Sequence, residues 1–250
     1  MIAALQDKTI IITGAGKGIG GAVAENLAAL GAKVCIADID EKAAQERAAS
    51  IQENQGTAMA VFCDITCPDT IENMIEEVLQ HYGKIDVLIN NAGFFPIKMF
   101  GDTSLEEWKK VIDINLTGTF CVTNAVFKSM KEQGHGKIIN VASAAGRVGG
   151  VGFVHYSAAK AGVIGMTRAL AREAGPLGIQ VNAIAPGLIE TGTAKSVFPP
   201  YALKEFVRNV PMGRLGKEED ILGIMAFLCS DQSCYMTGQV FAVDGGYTMI

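Results

Sequence analysis

The chain has 250 residues, of which 49% are hydrophobic and 19% charged, and its formal net charge at pH 7 is −5. This length and composition suit one large α/β domain with a substantial buried core. Because the chain has no basic cluster, we do not expect it to bind nucleic acid. No apolar run approaches the roughly 18 residues that cross a bilayer, so we do not expect a membrane protein.

The first residues lack the basic and apolar regions of a signal peptide, so we expect a cytoplasmic protein. Six cysteines are scattered along the chain without a Cys-x-x-Cys pair, which favours reduced thiols that are mostly buried. The three histidines lie far apart, and none joins a carboxylate at the spacing of metal ligands. We therefore predict no protein-bound metal.

Short apolar runs alternate with segments of helical period along the chain. The predicted strands cover about 8–13, 33–37, 57–63, 85–89, 137–141, 180–184 and 239–243. One predicted helix follows the first strand and ends near residue 30, and another contains Tyr156 and ends near residue 174. The other predicted helices cover about 41–54, 68–82, 104–133 and 217–229. This alternation predicts a parallel sheet with helices on both faces. Since no linker interrupts it, we expect a single domain over residues 1–250.

A glycine-rich turn, Thr13-Gly-Ala-Gly-Lys-Gly-Ile-Gly20, follows the first predicted strand. The common dinucleotide pattern Gly-x-Gly-x-x-Gly is not met, because its last glycine would fall on Ile19. Glycines at such a turn let backbone N–H groups and the positive end of a helix approach a pyrophosphate. The alternative is a tightly packed turn without a ligand, but the position directly after a strand favours nucleotide binding.

Tyr156 and Lys160 are four residues apart on a predicted helix, so they share one face about one turn apart. A cation close to a phenol favours the phenolate, and we expect Lys160 to lower the pKa of Tyr156 towards working pH. Such a tyrosine can give or take a proton at a carbonyl or carbinol oxygen. The same spacing also occurs in surface pairs, so the motif needs support from the rest of the chain.

That support comes from a set of motifs in one order. They are the glycine turn at 13–20, Asn90-Asn-Ala-Gly93, Ser143, Tyr156-x-x-x-Lys160 and Pro186-Gly187. Together they resemble the short-chain dehydrogenases/reductases, over essentially the whole chain. The resemblance implies a Rossmann-type, doubly wound α/β fold: a parallel sheet of seven strands with helices on both faces and the ligand site at the carboxyl ends of the strands.

The resemblance also implies roles for single residues. Ser143 would hydrogen-bond the substrate oxygen, and Tyr156 would be the acid or base. Lys160 would lower the pKa of Tyr156 and hold the nicotinamide ribose. The carbonyl of Asn115 would anchor a water in the proton relay, although helical asparagines commonly face solvent; apolar neighbours favour a buried position here. Asn90 looks structural, tying neighbouring strands together.

The implied cofactor contacts come from several loops. Asp64 would accept from the adenine amino group, Ala92 and Gly93 would leave room for the adenosine ribose, and the segment 186–191 would hold the nicotinamide carboxamide. The full predicted set is Gly14, Gly16, Lys17, Gly18, Ile19, Asp38, Ile39, Asp64, Ile65, Asn91, Ala92, Gly93, Tyr156, Lys160, Pro186, Gly187, Ile189 and Thr191.

Two residues favour opposite cofactors. Asp38 closes the second predicted strand, where a carboxylate can accept both ribose hydroxyls of NAD. Lys17 favours NADP instead, since a basic residue in the glycine turn is a feature of NADP-binding relatives. A carboxylate about 4 Å from a 2′-phosphate, at an effective dielectric near 20, is repelled by about 4 kcal/mol before screening. A lysine on an exposed turn gains little from one screened ion pair, so we expect NAD.

Substrate information lies in the loops 94–100 and 144–155 and in a predicted lid over 188–210. The first and third are apolar and aromatic, which suits a substrate with an apolar portion, but such side chains equally pack a lid onto its body. By resemblance we also expect a homotetramer built on the helices near 104–131 and 155–174, whose small residues could instead serve packing within one chain.

We expect hydride transfer between NAD(H) and a secondary alcohol or ketone. One alternative is an NADPH-dependent enzyme like the 3-oxoacyl-acyl-carrier-protein reductases, which the chain also resembles in length and ending. No arginine cluster suggests a docking patch for such a carrier. Another alternative is a non-catalytic regulator that binds NAD(H), which the presence of both Tyr156 and Lys160 disfavours.

Overall fold

The computed structural model describes residues 5–249, and within this range the centre is a seven-stranded sheet. The strands are β1 (Thr9–Thr13), β2 (Lys33–Asp38), β3 (Thr57–Phe62), β4 (Val87–Asn90), β5 (Gly136–Val141), β6 (Ile179–Pro186) and β7 (Val240–Val243). Their order is β3-β2-β1-β4-β5-β6-β7, and all neighbours are parallel. The order reverses between β1 and β4, which opens a crevice at the carboxyl ends. Two ends of the predicted domain lie outside the described residues. They are Met1–Ala4, which begin the segment judged not to be a signal peptide, and Ile250.

Helices cover both faces of the sheet, as predicted. They are α1 (Gly18–Ala29), α2 (Glu41–Glu53), α3 (Pro68–Tyr82), α4 (Leu105–Ile112), α5 (Gly118–Gln133), α6 (Ala145–Val148), α7 (Val154–Ala174), α8 (Gly192–Val197), α9 (Pro200–Arg208) and α10 (Glu219–Cys229). Successive strand residues point to opposite faces. Ile10 and Ile12 pack with α1, α2 and α10, whereas Ile11 packs with α3, α5 and α7. The Rossmann-type fold is confirmed.

The fourth strand begins at Val87, two residues later than the sequence predicts. Ile85 is fully buried, but its backbone pairs with a side chain and not with a strand. The Gln133 amide accepts from Ile85 N–H at 3.0 Å and donates to its carbonyl at 2.9 Å. Both backbone groups of Ile85 are therefore satisfied by the end of α5.

The long helix predicted over 104–133 is interrupted by a π-helical turn over Asp113–Thr117. Its centre is Asn115, which is fully buried and whose amide donates to the carbonyls of Phe94, at 2.7 Å, and Val111, at 3.0 Å. The Asn115 side-chain oxygen also accepts from Phe94 N–H at 3.2 Å. Single π turns of this kind are frequent at functional sites. Here the turn joins the helix to the loop after β4.

A row of buried polar side chains links the centre of the sheet to both long helices on one face. Asn90 donates to Thr123 and to the side-chain oxygen of Asn140, both at 2.8 Å. Asn140 in turn donates to Thr167 of α7 at 2.9 Å. Asn90 thus ties β4 to β5, in agreement with the structural role expected for it.

We expect Asn90→Ala to lower the free energy of unfolding by about 1–3 kcal/mol, because Thr123 and Asn140 would each lose a buried partner. Urea unfolding followed by circular dichroism measures this. Asn73→Ala, at an exposed position of α3, is the matched control and should change stability by less than about 0.5 kcal/mol. Equal effects of the two substitutions would show that the buried row does not stabilise the fold.

Candidate active site

The glycine turn between β1 and α1 has the shape of an anion-binding cradle. Gly14 and Gly18 have positive φ of 62° and 58°. A Cβ on Gly14 would lie 2.7 Å from the Cα of Ala92, so the backbones approach too closely for a side chain. Within the described residues no side chain caps the first turn of α1, and that turn holds no acidic residue. Its free N–H groups therefore fit the pyrophosphate of a dinucleotide.

Asp38 is held against this turn by two hydrogen bonds. One carboxylate oxygen accepts from Gly16 N–H at 2.9 Å, and the other accepts from Asp40 N–H at 2.9 Å. Lys17 does not pair with Asp38; its ammonium lies 2.7 Å from Asp40. This hydrogen bond raises the pKa of Lys17 and lowers the pKa of Asp40. Both groups are therefore charged at neutral pH.

The other predicted cofactor residues lie along the same edge of the sheet. Asn91 donates to the carbonyls of Thr13, at 3.0 Å, and Gly14, at 2.8 Å, and so joins the end of β4 to the glycine turn. Asp64 accepts from Thr66 N–H and its hydroxyl, at 2.9 and 2.7 Å. Beyond the strand ends, Ile39 is 63% exposed and Ile65 is buried.

A cavity of about 770 Å³ opens at the carboxyl ends of β5 and β6. The predicted residues that line it are Ile19, Ser143, Tyr156, Pro186, Gly187, Ile189 and Thr191. A Cβ on Gly18 would lie 3.8 Å from the Thr191 methyl group, which shows that the glycine turn borders the same space. Asp38 and Asp64 do not line the cavity; they lie at the ends of β2 and β3.

Ser143 is fixed by the backbone on both sides. Ala142 N–H donates to Ile184 at 2.8 Å and Ala144 N–H donates to Pro186 at 2.9 Å, so the chain stays beside β6. The Ser143 side chain hydrogen-bonds Tyr156, which α7 presents from the other side. A hydroxyl and a phenol are thus brought together at the cavity wall.

Lys160 is 3% exposed and donates to the carbonyl of Val141 at 2.8 Å. Its nitrogen lies 5.7 Å from the centre of the Tyr156 ring. Burial lowers the pKa of Lys160 to about 8 and raises that of Tyr156 to about 12, against the opposing hydrogen bond from Ser143. The expected lowering of the Tyr156 pKa by Lys160 is therefore wrong: burial raises this pKa, and the opposing influence comes from the Ser143 hydrogen bond.

Asn115 lies next to this pair, in the buried position that its neighbours predict. A Cβ on Gly93 would be 3.0 Å from the Asn115 side-chain oxygen and 3.7 Å from the Lys160 nitrogen. The Asn115 main-chain carbonyl accepts from the Thr119 hydroxyl at 3.0 Å. The side chain thus braces the loop after β4, and the water-anchoring role of the carbonyl stays a prediction.

Aromatic rings form a row beside the phenol. The ring centres of Phe95 and Phe153 each lie 5.9 Å from that of Tyr156, and Phe153 lies 5.8 Å from Phe198. Phe95 and Phe198 belong to the aromatic loops named from the sequence. Phe94 points elsewhere, with Lys110 5.1 Å above its ring.

Sequence reasoning missed two aromatic residues of the cavity. Phe153, three residues before Tyr156, lay in a predicted substrate loop but was not singled out. Tyr247, after the last strand, contacts Phe206 of α9 at 4.8 Å between ring centres. Nothing in the sequence pattern indicates that the chain returns to the cavity there.

Within residues 5–249, no three histidine, cysteine, aspartate or glutamate side chains lie close enough together to hold a metal ion. In the same range, every helix is too short or too polar to cross a membrane.

Comparison with known proteins identifies the family. A family model described as enoyl-(acyl carrier protein) reductase matches residues 14–248. A solved short-chain type dehydrogenase/reductase from Mycobacterium marinum is similar at a TM-score of 0.94 and 35% identity, covering 100% of this chain and 98% of that one. The chain belongs to the short-chain dehydrogenase/reductase family. It is therefore an oxidoreductase of carbonyl or carbinol groups that uses a nicotinamide dinucleotide.

Several similar short-chain dehydrogenases/reductases carry names. A putative short-chain alcohol dehydrogenase from Sinorhizobium meliloti has a TM-score of 0.93 and 34% identity, over 99% of this chain and 98% of that one. The 3-oxoacyl-[acyl-carrier-protein] reductases of Synechocystis and Escherichia coli are 41% and 38% identical. Each match covers 98% of this chain and 99% of the relative.

The buried Lys160 ammonium should cost stability. We expect Lys160→Met to raise the free energy of unfolding at pH 7 by about 1–3 kcal/mol, because the wild type must desolvate a charge that has no carboxylate partner among residues 5–249. Since the folded pKa is about 8 and the ordinary value 10.5, the gain should be full below pH 8. It should vanish as the pH rises towards 10.5, where the unfolded lysine also loses its charge.

Thermal unfolding of both proteins across this pH range measures the effect. Lys128→Met, at an exposed position of α5, is the control and should change little at any pH. A lower melting temperature for Lys160→Met at pH 7 would show that the ammonium stabilises the fold.

Proposed function

We propose that this protein is an NAD(H)-linked reductase of 3-oxoacyl thioesters. The observation that carries the proposal is the hydrogen-bonded pair of Ser143 and Tyr156 at the wall of a large, mainly apolar cavity. The names of the curated relatives support a 3-oxoacyl group as the ketone, in preference to the broader class of secondary alcohols and ketones.

The residues of the site suit proton donation to a ketone oxygen. With a pKa of about 12, the Tyr156 phenol is protonated at physiological pH and can give its proton to the oxygen as reduction proceeds. Ser143 donates a second hydrogen bond to the same oxygen. The Lys160 ammonium, buried beside the ring, stabilises the negative charge that develops on the phenol oxygen. When bound, the nicotinamide supplies the hydride to the carbonyl carbon.

The cofactor is held by the glycine turn, Asp38 and Lys160 in this proposal. Asp38 is already positioned by Gly16 and Asp40, so its carboxylate can accept from ribose hydroxyls without rearranging. The same charge opposes a 2′-phosphate. Because Lys17 is engaged by Asp40, its support for NADP is weakened, and NAD(H) is favoured.

The cavity suits a substrate with an apolar portion and a polar portion. The rings of Phe95, Phe153 and Phe198 line it and can contact an acyl chain. Three charged residues of α9, Lys204, Glu205 and Arg208, border the same cavity, and their polar groups are compatible with a polar carrier arm. The segment 188–210, which contains α8 and α9, acts as the substrate lid in this scheme.

The homotetramer expected from the resemblance belongs to the same proposal. Leu105 of α4 and Phe120 of α5 are 68% and 54% exposed, and these two helices together with α7 would form the two-fold interfaces. Covering such large apolar side chains on association would stabilise the assembly.

We expect the purified enzyme to oxidise NADH in the presence of a 3-oxoacyl thioester, and Tyr156→Phe to lower kcat by about 10²–10⁴-fold, because the proton donor is lost. NADH binding, followed by fluorescence, should persist in this variant. Tyr235→Phe, on a fully exposed ring, is the control and should keep normal turnover.

Three results would argue against this assignment. Near-normal turnover by Tyr156→Phe would remove the tyrosine from the chemistry. Faster reduction of simple ketones than of 3-oxoacyl thioesters would support the broader function, that of a dehydrogenase of secondary alcohols and ketones, in place of the proposed one. Cofactor binding without turnover on any carbonyl panel would indicate a regulator.

We also expect kcat/KM with NADH to exceed that with NADPH by at least about tenfold, because Asp38 repels a 2′-phosphate. Asp38→Asn should narrow this ratio while keeping an oxygen that accepts from Gly16 N–H. Steady-state kinetics with both cofactors measures the ratio. Equal values in the wild type, or a preference for NADPH, would contradict the NAD(H) assignment.

A further inference from the structure

We propose that Asp40 is a second residue that selects against a 2′-phosphate: it occupies Lys17, the only cation of the glycine turn, and so keeps that cation from serving NADP(H). This inference rests on the proposed nicotinamide cofactor and concerns a residue outside the set predicted from the sequence. Asp38 would repel the phosphate, while Asp40 would withhold the group that could attract it.

The geometry makes Asp40 a fixed partner for Lys17. One Asp40 oxygen lies 2.7 Å from the Lys17 nitrogen, and the other accepts from Ala43 N–H at 3.1 Å, capping α2. The backbone N–H of Asp40 is also engaged, by Asp38 at 2.9 Å. Asp40 is thus anchored through its main chain and through its cap. The lysine, on a flexible stem that is 76% exposed, is the mobile member of the pair.

The charges around the turn favour a neutral ribose over a phosphorylated one. Lys17 contributes one positive charge, and Asp38 and Asp40 contribute two negative charges. The pKa of Lys17 is raised and that of Asp40 is lowered by their mutual hydrogen bond, so neither charge is lost near neutral pH. A phosphate at this place would have to compete with Asp40 for the lysine and would meet the repulsion of Asp38.

Neighbouring cations are paired in the same way. Arg47, which donates to the Gly16 carbonyl at 3.4 Å, forms an ion pair with Glu25. Lys42, whose charge acts on Asp40, lies 3.7 Å from Glu46. Since exposed ion pairs add little to stability, we assign the Lys17–Asp40 pair to ligand selection and not to folding.

The decisive variant is Asp40→Asn, because asparagine caps a helix about as well as aspartate and carries no charge. We expect the affinity for 2′,5′-ADP, measured by titration calorimetry, to rise about tenfold relative to that for 5′-AMP. The ratio of kcat/KM for NADPH over NADH should rise in parallel. These two nucleotides report on the 2′-phosphate alone, without the nicotinamide or the reaction.

Two further variants separate this explanation from others. Adding Lys17→Met to Asp40→Asn should abolish the gain, because the released lysine is then missing. Glu41→Gln removes the negative charge next to Asp40 and should give a clearly smaller gain, because Glu41 accepts from the neutral Gln45 and its loss does not free Lys17. An equal gain from Glu41→Gln, or a gain that survives Lys17→Met, would overturn the inference in favour of a general effect of charge.

Unchanged relative affinity for 2′,5′-ADP in Asp40→Asn would also overturn it. That result would leave the proposed reductase function intact, since wild-type turnover of thioesters does not depend on it. Conversely, absent turnover would refute the proposed reaction, whereas nucleotide binding would still test the part assigned to Asp40.

Discussion

The buried amide of Asn115 is the interaction on which the active site depends. It hydrogen-bonds both backbone groups of Phe94, and an apolar side chain of the same size would remove both of these hydrogen bonds. The π turn lets a helical residue reach a loop in this way. With the loop fixed, the backbone of Gly93 lies close to both Asn115 and Lys160. A Cβ at this position would be only 3.0 Å from the Asn115 side-chain oxygen, which is closer than an ordinary contact.

Around this brace, the site combines groups that burial affects in opposite ways. Desolvation keeps the Tyr156 phenol protonated and makes the Lys160 ammonium easier to neutralise. The fold tolerates the lysine because Val141, at the end of β5, offers a carbonyl to it. An active site that carries an unfavourable buried charge is consistent with the general conflict between stability and function.

Much of this could be predicted from the sequence, because the informative residues are adjacent to strand ends. Apolar runs such as Ile10–Ile12 located the sheet, and the glycine turn, Ser143 and Tyr156 fell where parallel strands must bring them together. The pairing of Lys17 with Asp40 was not predicted, because each could be judged only as a separate charge on a turn.

Other features depend on contacts that periodicity does not encode. The π turn leaves the apolar pattern of 104–133 almost unchanged, so it reads as one helix. The side chain of Gln133, which is far from Ile85 in the sequence, hydrogen-bonds the Ile85 backbone in the place that a neighbouring strand would otherwise take. The pKa of Tyr156 depends on a balance between burial and attraction, which the spacing of two residues on a helix cannot decide.

The close approach of Gly14 to Ala92 has a consequence for redesign of the enzyme. Two motifs that are distant in the chain share one packing surface, so neither can be varied freely while the other is kept. Because the short contact is with the main-chain Cα of Ala92 and Gly14 has a positive φ, no substitution at position 92 would make room for a side chain at position 14. A library that varies the glycine turn therefore has to keep Gly14 and gains nothing at that position from changing residue 92 as well.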